Sequence, residues 1–413
     1  MTGDTAPAYD VAIIGGGPAG LSAAVELKRL GVASVVVIER EREAGGIPRH
    51  CGHYPFGMRE FSRVLRGPDY AARLVERALR VGVEIRTRVS VTSLKPGPQI
   101  DVSSPDGLAT IRARRVLVAT GVREKTRATR LIGGTKPSGV LSTGALQGLV
   151  YLDGLKPFSR PVILGTELVS FSALLTCRHA GIKPVAMIEP NARITAWRAS
   201  RLLPGALGVP LMLGASITRI EGRAQVEAVE VADRSGRTSR IEADGVIVTG
   251  QFLPEASLLR DSHLAVDSMS GGPCVDQFFR LSDPAYFAAG NLLRPVETAG
   301  WCWAEGRAAA RMIAGSLAGT LPEPTPRAGL ALMGDALKYV VPQRLVAASG
   351  APRTLQVRVR RPARGTLSVV VSGQNLWSQR IDALPERRIL IPLDRLPIDL
   401  NGPVHIVFAE DKA

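Results

Sequence analysis

A short run, Asp10-Val11-Ala12-Ile13-Ile14, breaks off at Gly15-Gly16-Gly17-Pro18-Ala19-Gly20. Apolar residues then recur at helical spacing, at Leu21, Ala24, Val25, Leu27 and Leu30, until Gly31 stops them. A second apolar run, Val35–Ile38, ends at Glu39. Strand, turn, helix and strand within about 30 residues predict a βαβ unit. The pattern comes back at Pro161–Leu164, where Gly165 to Ser170 lead a helix to about Ala180 and the strand Val185–Ile188 ends at Glu189. Between the two units, Glu43–Gly57 is too rich in Gly and Pro for either element, and Gly67–Arg80 reads as a helix with Pro68 in its first turn. Alternating runs follow around 83–94 and 99–103, and Val116-Leu117-Val118 leads into Ala119-Thr120-Gly121. Further alternation over 209–231 and 239–248 closes at Val248-Thr249-Gly250. Tyr286 to Asn291 reads as a strand ending at a Gly, with a helix from about Gly300 to Leu317 after it. The proline-rich Leu321–Arg327 is a linker. Beyond it Leu355, Val357 and Val359, then Leu367, Val369 and Val371, alternate as strands do, and Lys338–Gln343 could be the first of them. The predicted fold class is α/β: two Rossmann-like units plus a small C-terminal β domain.

Composition narrows this picture. The chain has 413 residues, 45% hydrophobic and 22% charged, which excludes a disordered chain. The formal net charge is +15, and of 52 basic residues 44 are arginine, scattered without a block. Aromatics are 5% of the chain, so the interleaved basic and aromatic surface of a nucleic-acid binder is not expected. The four cysteines, Cys51, Cys177, Cys274 and Cys302, lie far apart with no C-x-x-C pair. That argues against a zinc finger or an iron–sulfur site within this chain, and no metal is expected. It fits a reducing compartment. Neither a signal peptide nor a membrane span is expected, which places the protein in the cytoplasm or peripheral to the inner face of the membrane.

The first βαβ unit carries the dinucleotide spacing Gly15-x-Gly17-x-x-Gly20. Gly15 permits the tight turn, Gly17 lets backbone N–H groups approach a pyrophosphate, and Gly20 allows close helix–strand packing. Glu39 stands where a carboxylate accepts the ribose hydroxyls. The second fingerprint keeps Gly165, but Glu167 occupies the place of its second Gly and Ser170 that of its third. A charge pair 4 Å apart is worth about 4 kcal/mol at an effective dielectric of about 20. A carboxylate beside a pyrophosphate would therefore weaken NAD(P) binding severely, unless the Glu swings out.

GGGPAG with Glu39, Ala119-Thr120-Gly121, and Ala289-Gly290-Asn291 before the last long helix together resemble the two-dinucleotide-domain flavoproteins of the pyridine nucleotide–disulphide oxidoreductase superfamily. The resemblance covers about residues 8–320. It implies FAD held by Gly15, Gly17, Pro18, Ala19, Gly20, Glu39, Arg40, Gly46, Ile47, Val89, Ala119, Thr120, Gly121, Gly290, Asn291, Thr298 and Trp301. Asn291 stands where such proteins more often have Asp. The implied domains are a discontinuous FAD domain, 1–127 and 252–325, an inserted NAD(P)-like domain, 128–251, and the β domain, 331–413. Members using a redox disulphide need two sulfurs, and Cys51 is alone in the corresponding region, so a disulphide reductase is not expected. Gly45-Gly46-Ile47-Pro48-Arg49-His50-Cys51-Gly52-His53, Gly67-Pro68-Asp69-Tyr70-Ala71, Arg294-Pro295-Val296-Glu297-Thr298 and Tyr339-Val340-Val341-Pro342-Gln343 resemble a narrower bacterial group. It includes FAD subunits encoded beside glycerol-3-phosphate dehydrogenase-like partners and, more distantly, those of opine oxidases and hydrogen cyanide synthase. That implies a small-molecule substrate, a second FAD subunit of amino-acid-oxidase type, and a small Cys-rich or iron–sulfur partner.

His50, Cys51 and His53 form the densest cluster of titratable chemistry. They could move the proton that accompanies hydride transfer, shape the flavin pocket, or meet a subunit. Cys51 could act as a thiolate if a His lowers its pKa. Glu297, Trp301, Cys302, Trp303 and Glu305 cluster at the start of the last helix, and five arginines from Arg353 to Arg364 mark the β domain as a docking surface or a cap. The leading expectation is an FAD-dependent oxidoreductase subunit of a dehydrogenase complex oxidising an amino acid, amine or polyol phosphate. The alternatives are a stand-alone NAD(P)H-dependent flavin reductase and a structural FAD- or AMP-binding subunit.

Overall fold

The computed structural model describes residues 8–323, 328–346, 354–392 and 403–411. The chain forms two compact units: Met1–Gly46, Ala71–Val122 and Pro254–Ala413 in one, Ile47–Tyr70 and Arg123–Leu253 in the other. No helix among the described residues is long and apolar enough to cross a membrane.

In the first unit Glu84–Arg86, Val35–Ile38, Tyr9–Ile14, the end of Gly107–Val118, and Tyr286–Ala288 lie side by side in parallel. Val35–Ile38 is buried throughout, as a parallel strand covered on both faces requires. Ser90–Lys95, Gln99–Ser104 and Gly107–Val118 continue the sheet as an antiparallel meander. Helix Pro18–Arg29 starts where Pro is tolerated, at the first helical turn, and ends with Lys28 and Arg29 at its C-terminal dipole. It packs against helix Ala299–Leu317. Ser22 Oγ donates to the Trp303 carbonyl at 2.8 Å, and Arg307 and Arg311 donate to the buried Glu26.

The C-terminal strands belong to the first unit and form two sheets over their own core. One is ordered Arg344–Leu345, Ala328–Met333, Val404–Glu410, Ala363–Val371, Gln374–Ala383; the other Leu337–Val341, Thr354–Val359, Ile389–Pro392. Leu355, Val357, Leu367, Val369, Ile391 and Ile406 are fully buried in that core. Tyr339 and Val341 instead join the core of the parallel sheet, beside Tyr286 and Leu292. Arg358, Arg360, Arg361 and Arg364 all donate within the chain, to groups that include Glu297, Leu337, Glu410 and Asp382, and of the four Arg358 is buried while the other three are exposed. Arg353 and residues 324–327 of the expected linker lie outside the described residues.

In the second unit Leu211–Leu213, Ala186–Glu189, Pro161–Leu164, Gly245–Val248 and Val140–Ser142 form a parallel sheet. Helices Thr143–Tyr151 and Leu168–His179 pack beside it, the first capped by Ser142 Oγ accepting from Ala145 N–H at 3.2 Å. A smaller sheet, Thr238–Glu242, Val226–Ala232, Ser216–Gly222 and Gly133–Gly134, completes it.

A Cβ on Gly306 would lie 2.1 Å from the Ala19 carbonyl oxygen, whereas one on Gly205 meets nothing within 4 Å. Gly306→Ala should therefore lower stability by about 1–3 kcal/mol, and Gly205→Ala should stay within about 0.5 kcal/mol of the wild type. Urea midpoints of the two variants check this.

Candidate functional site: a dinucleotide cradle and a histidine–cysteine loop

The parallel register aligns Ile14 with Ile38 and Val118, and Val118 with Ala288. Gly15–Gly20, Glu39, Ala119–Gly121 and Ala289–Asn291 therefore leave the sheet along one carboxyl edge, where open α/β sheets hold ligands. Gly15 has φ +106°, and a Cβ there would lie 2.5 Å from the Ala119 carbonyl oxygen. A Cβ on Gly20 would lie 2.0 Å from the Gly15 oxygen, and one on Gly46 2.8 Å from Gly17 Cα. The helix after Gly17 has no side-chain cap, Pro18 occupies its first turn, and Ala19 is buried beneath Gly290. Its first N–H groups thus face the edge with the positive end of the dipole. Glu39 is buried, and its carboxylate accepts Gly16 N–H and Glu41 N–H, each at 2.9 Å. Val89 N–H donates to the Glu39 carbonyl at 3.0 Å, which brings Val89 beside the strand end. Arg40 is exposed and pairs with Glu41 at 3.4 Å. Thr120 Oγ1 donates to the Glu255 carbonyl at 2.7 Å, and Gly121 has φ +77°.

Gly290 N–H donates to Glu305 Oε2 at 2.7 Å, and Arg294 grips the same carboxylate with both arms at 2.9 and 2.6 Å. Burial works against the Arg294 charge, yet Glu305 beside it raises its pKa. Both ends of the Asn291 amide bond the Glu297 backbone, at 3.1 and 2.6 Å, so this side chain braces the loop. Thr298 caps Ala299–Leu317 by position alone, without a side-chain bond, which leaves that helix N-terminus open as well. Trp301 stands in its first turn beneath the Arg388 guanidinium. Glycines that admit close backbone approach, two uncapped helix starts and a carboxylate at a strand end fit a flavin dinucleotide.

In the other unit Ile47 opens a short 3-10 turn, Ile47–His50, and is exposed. Cys51 follows, 8% exposed, with Sγ 3.4 Å from the Ile47 carbonyl and 3.5 Å from Gln147 Oε1. Gln147 Nε2 donates onward to Ser172 Oγ at 2.7 Å. Burial, reinforced by the Glu124 carboxylate, pushes the Cys51 thiol up to about 12. Cys51 is thus a protonated, packed thiol, and the thiolate chemistry considered from sequence is not what its surroundings favour. His50 Nδ1 faces Gly148, and a Cβ on Gly52 would strike the Tyr151 ring at 2.2 Å. His53 Nδ1 donates to the Tyr54 carbonyl at 3.0 Å, which leaves Nε2 as the acceptor of the neutral ring. Its ring lies 5.4 Å from Phe56. No group of three metal-ligating side chains exists among the described residues.

The second fingerprint is filled by its own side chains. The Glu167 carboxylate lies over Gly250, where a Cβ would meet it at 2.3 Å, and accepts Gln251 N–H at 2.8 Å. Burial pushes its carboxyl up, against the Gln251 N–H and the Arg130 guanidinium. Ser170 Oγ bonds Thr249 Oγ1. Glu189 accepts from Thr166 Oγ1 and from Asn191 N–H at 2.9 Å. A cavity of about 340 Å³ remains, lined by Arg130, Glu167, Glu189, Asn191 and Thr195 among others. Gln147, Glu124 and Arg130 escaped sequence reasoning, because their partners are distant in the chain. Glu305 had one signal, its place beside Glu297 and Trp301 at the helix start.

The pyridine nucleotide-disulphide oxidoreductase family matches residues 9–306. One of the opine oxidase subunits of Rhizobium meliloti (strain 1021) is 32% identical over 205 residues, 48% of this chain and 42% of that protein. The alpha subunit of sarcosine oxidase from Corynebacterium sp. (strain P-1) is 29% identical over 279 residues, 62% of this chain and 28% of that one. The chain thus spans less than half the length of both relatives. The T. acidophilum thioredoxin reductase structure superposes with a TM-score of 0.61 at 26% identity, over 75% of this chain and 98% of that one.

Iodoacetamide at pH 8 should leave Cys51 unmodified while the half-buried Cys274 labels, as read by peptide mass spectrometry. Rapid alkylation of Cys51 in the folded protein would contradict the buried, protonated thiol.

Proposed function

The chain belongs to the pyridine nucleotide-disulphide oxidoreductase family, and on that premise we propose that it is the FAD-binding subunit of a complex that oxidises an amino acid, amine or polyol phosphate. Members of this family are FAD-dependent oxidoreductases, and so is this chain. The observation that carries the finer reading is Cys51, a buried free thiol with no second sulfur to form a redox disulphide with it. Electrons then leave by a partner or an external acceptor. Two of the relatives are themselves named as subunits, of opine and sarcosine oxidases. We assign 1–127 and 252–325 to the FAD domain, 128–251 to the inserted domain and 331–413 to the β domain. The partners in this reading are a second FAD subunit of amino-acid-oxidase type and a small Cys-rich or iron–sulfur protein. The complex would work in the cytoplasm or at the inner face of the membrane.

When bound, the flavin supplies hydride acceptance and onward electron transfer. Backbone N–H groups at Gly15–Gly17 and the helix start at Pro18 would hold its pyrophosphate, and Glu39 its ribose. Gly290, Asn291, Thr298 and the helix start before Trp301 would serve the ring end. His53 would accept the substrate proton at Nε2, the ring position that its bond to Tyr54 leaves free of hydrogen. The second unit takes no NAD(P) in this reading, because Glu167 stands in the place of the fingerprint's second Gly and adds a carboxylate beside the turn.

Purified protein should be yellow, copurify with a second flavoprotein, and keep its flavin oxidised when micromolar NADH or NADPH is added anaerobically. Prompt bleaching would favour a stand-alone reductase instead. Glu167→Gly should tighten nucleotide binding on the order of tenfold to a hundredfold by calorimetry, since it removes the opposing charge and opens the turn.

A further inference from the structure

The cavity of about 340 Å³ in the second unit lies at the carboxyl edge of its parallel sheet, where strands Pro161–Leu164, Ala186–Glu189 and Gly245–Val248 end. Its size is that of a small-molecule site. Arg130, Glu167 and Glu189 line it, and all three belong to the same compact unit. These charges are not equally engaged. Glu189 is occupied within the fold: one carboxylate oxygen accepts from Thr166 Oγ1, and the other accepts Asn191 N–H at 2.9 Å and Asn191 Nδ2 at 2.7 Å. Glu167 uses one oxygen only. Its Oε1 accepts Gln251 N–H at 2.8 Å, and its Oε2 has no hydrogen-bond partner among the described residues. Arg130 uses one nitrogen only. Its Nη2 donates to the Thr249 carbonyl and, at 2.9 Å, to the Gly250 carbonyl, while its Nε is buried without a partner.

Among the described residues no ion pair joins Arg130 to Glu167, although each acts on the other. Burial works against the Arg130 charge and Glu167 supports it; burial pushes the Glu167 carboxyl up and Arg130 opposes that. Half-buried charges with unused donor and acceptor atoms are costly unless a partner meets them. The two cannot simply close on each other, because the carbonyls at Thr249 and Gly250 hold one and the Gln251 N–H holds the other. A ligand with a single charge would satisfy one of them and be opposed by the second. A ligand with both charges satisfies both: the arginine fork takes a carboxylate in its own plane, and the free carboxylate oxygen takes an ammonium. Ile132, Leu164 and Ile217 give the same cavity an aliphatic wall.

We propose that this cavity binds a free α-amino acid with an aliphatic side chain, its carboxylate on Arg130 and its ammonium on Glu167 Oε2. The site is built from residues of the second unit alone and goes beyond the flavin reading, on which it does not depend. The unit that lost its dinucleotide fingerprint is then a zwitterion-binding module.

The test is calorimetry on the full chain as purified, with L-norvaline as probe and its two halves as controls: pentanoate, which lacks the ammonium, and butylamine, which lacks the carboxylate. Norvaline should bind, and each half should bind at least about tenfold more weakly. Arg130→Lys keeps the charge but loses the fork, and should weaken norvaline by about tenfold. Glu167→Gln should weaken norvaline to a similar degree and strengthen pentanoate, because the opposing charge is gone; a merely structural role for Glu167 would not produce that crossover. Glu242→Gln, exposed on the small sheet, should match the wild type. Should Arg130→Lys fail to fold, as read by its urea midpoint, the Glu167→Gln crossover decides alone. No binding of norvaline, equal binding of norvaline and either half, or equal norvaline affinity in wild type and Glu167→Gln overturns the proposal. NADH that displaces norvaline at micromolar concentration overturns it too, in favour of a nucleotide site. Norvaline binding by a chain that takes up no FAD supports the zwitterion site and removes the flavin reading alone.

Discussion

The arrangement of the cofactor edge depends on how closely helix Pro18–Arg29 approaches its neighbours. On one side Gly20 lies so near the Gly15 oxygen that no side chain fits between them, and on the other Gly306 lies so near Ala19 that the two helices meet backbone to backbone. Ser22, donating to the second helix, and Glu26, accepting from its Arg307 and Arg311, tie the pair along its length. Atoms at this distance gain dispersion energy and exclude water. They also fix where both helix N-termini open, because a helix axis held at two points can neither slide nor tilt. The strand ends, the turn at Gly15 and the loop at Gly290 then converge by geometry alone.

Much of this was legible in the chain because its signals are local. The apolar runs at Val11–Ile14, Val35–Ile38 and Pro161–Leu164, the glycine spacing and the helix before Ala318 depend on neighbours a few residues apart, and the structure places strands and helices there. Helix Thr143–Tyr151 was not legible, since two glycines in nine residues dilute its pattern and packing against helix Leu168–His179 supplies the stability instead. Strand Ala328–Met333 was hidden by the prolines before it and finds its partner, Val404–Glu410, at the far end of the chain. The state of Cys51 was illegible for a similar reason. Its neighbours His50 and His53 suggested a lowered pKa, but Gln147 and Glu124, distant in sequence, surround it.

The two βαβ units show how one architecture diverges by side-chain chemistry. In the first, a backbone N–H at Gly16 meets the carboxylate of Glu39. In the second, the hydroxyl of Thr166 meets Glu189, Ser170 Oγ bonds Thr249 Oγ1, and the Glu167 carboxylate accepts Gln251 N–H. The loss of the fingerprint is therefore a change in what the turn offers a ligand, with the scaffold retained.

The buried thiols carry a consequence for durability. Oxidation of cysteine to sulfenic acid and beyond begins from the thiolate. Cys51, Cys177 and Cys302 are each pushed up to about 12 by burial, so at neutral pH they present almost none of the reactive form. Reduced flavins that meet dioxygen can leak peroxide, and a chain with accessible, ionised sulfur beside such a source would inactivate itself in use. Three of the four sulfurs here are held by burial in the slow-reacting thiol form, which favours the endurance of the fold beside a redox cofactor.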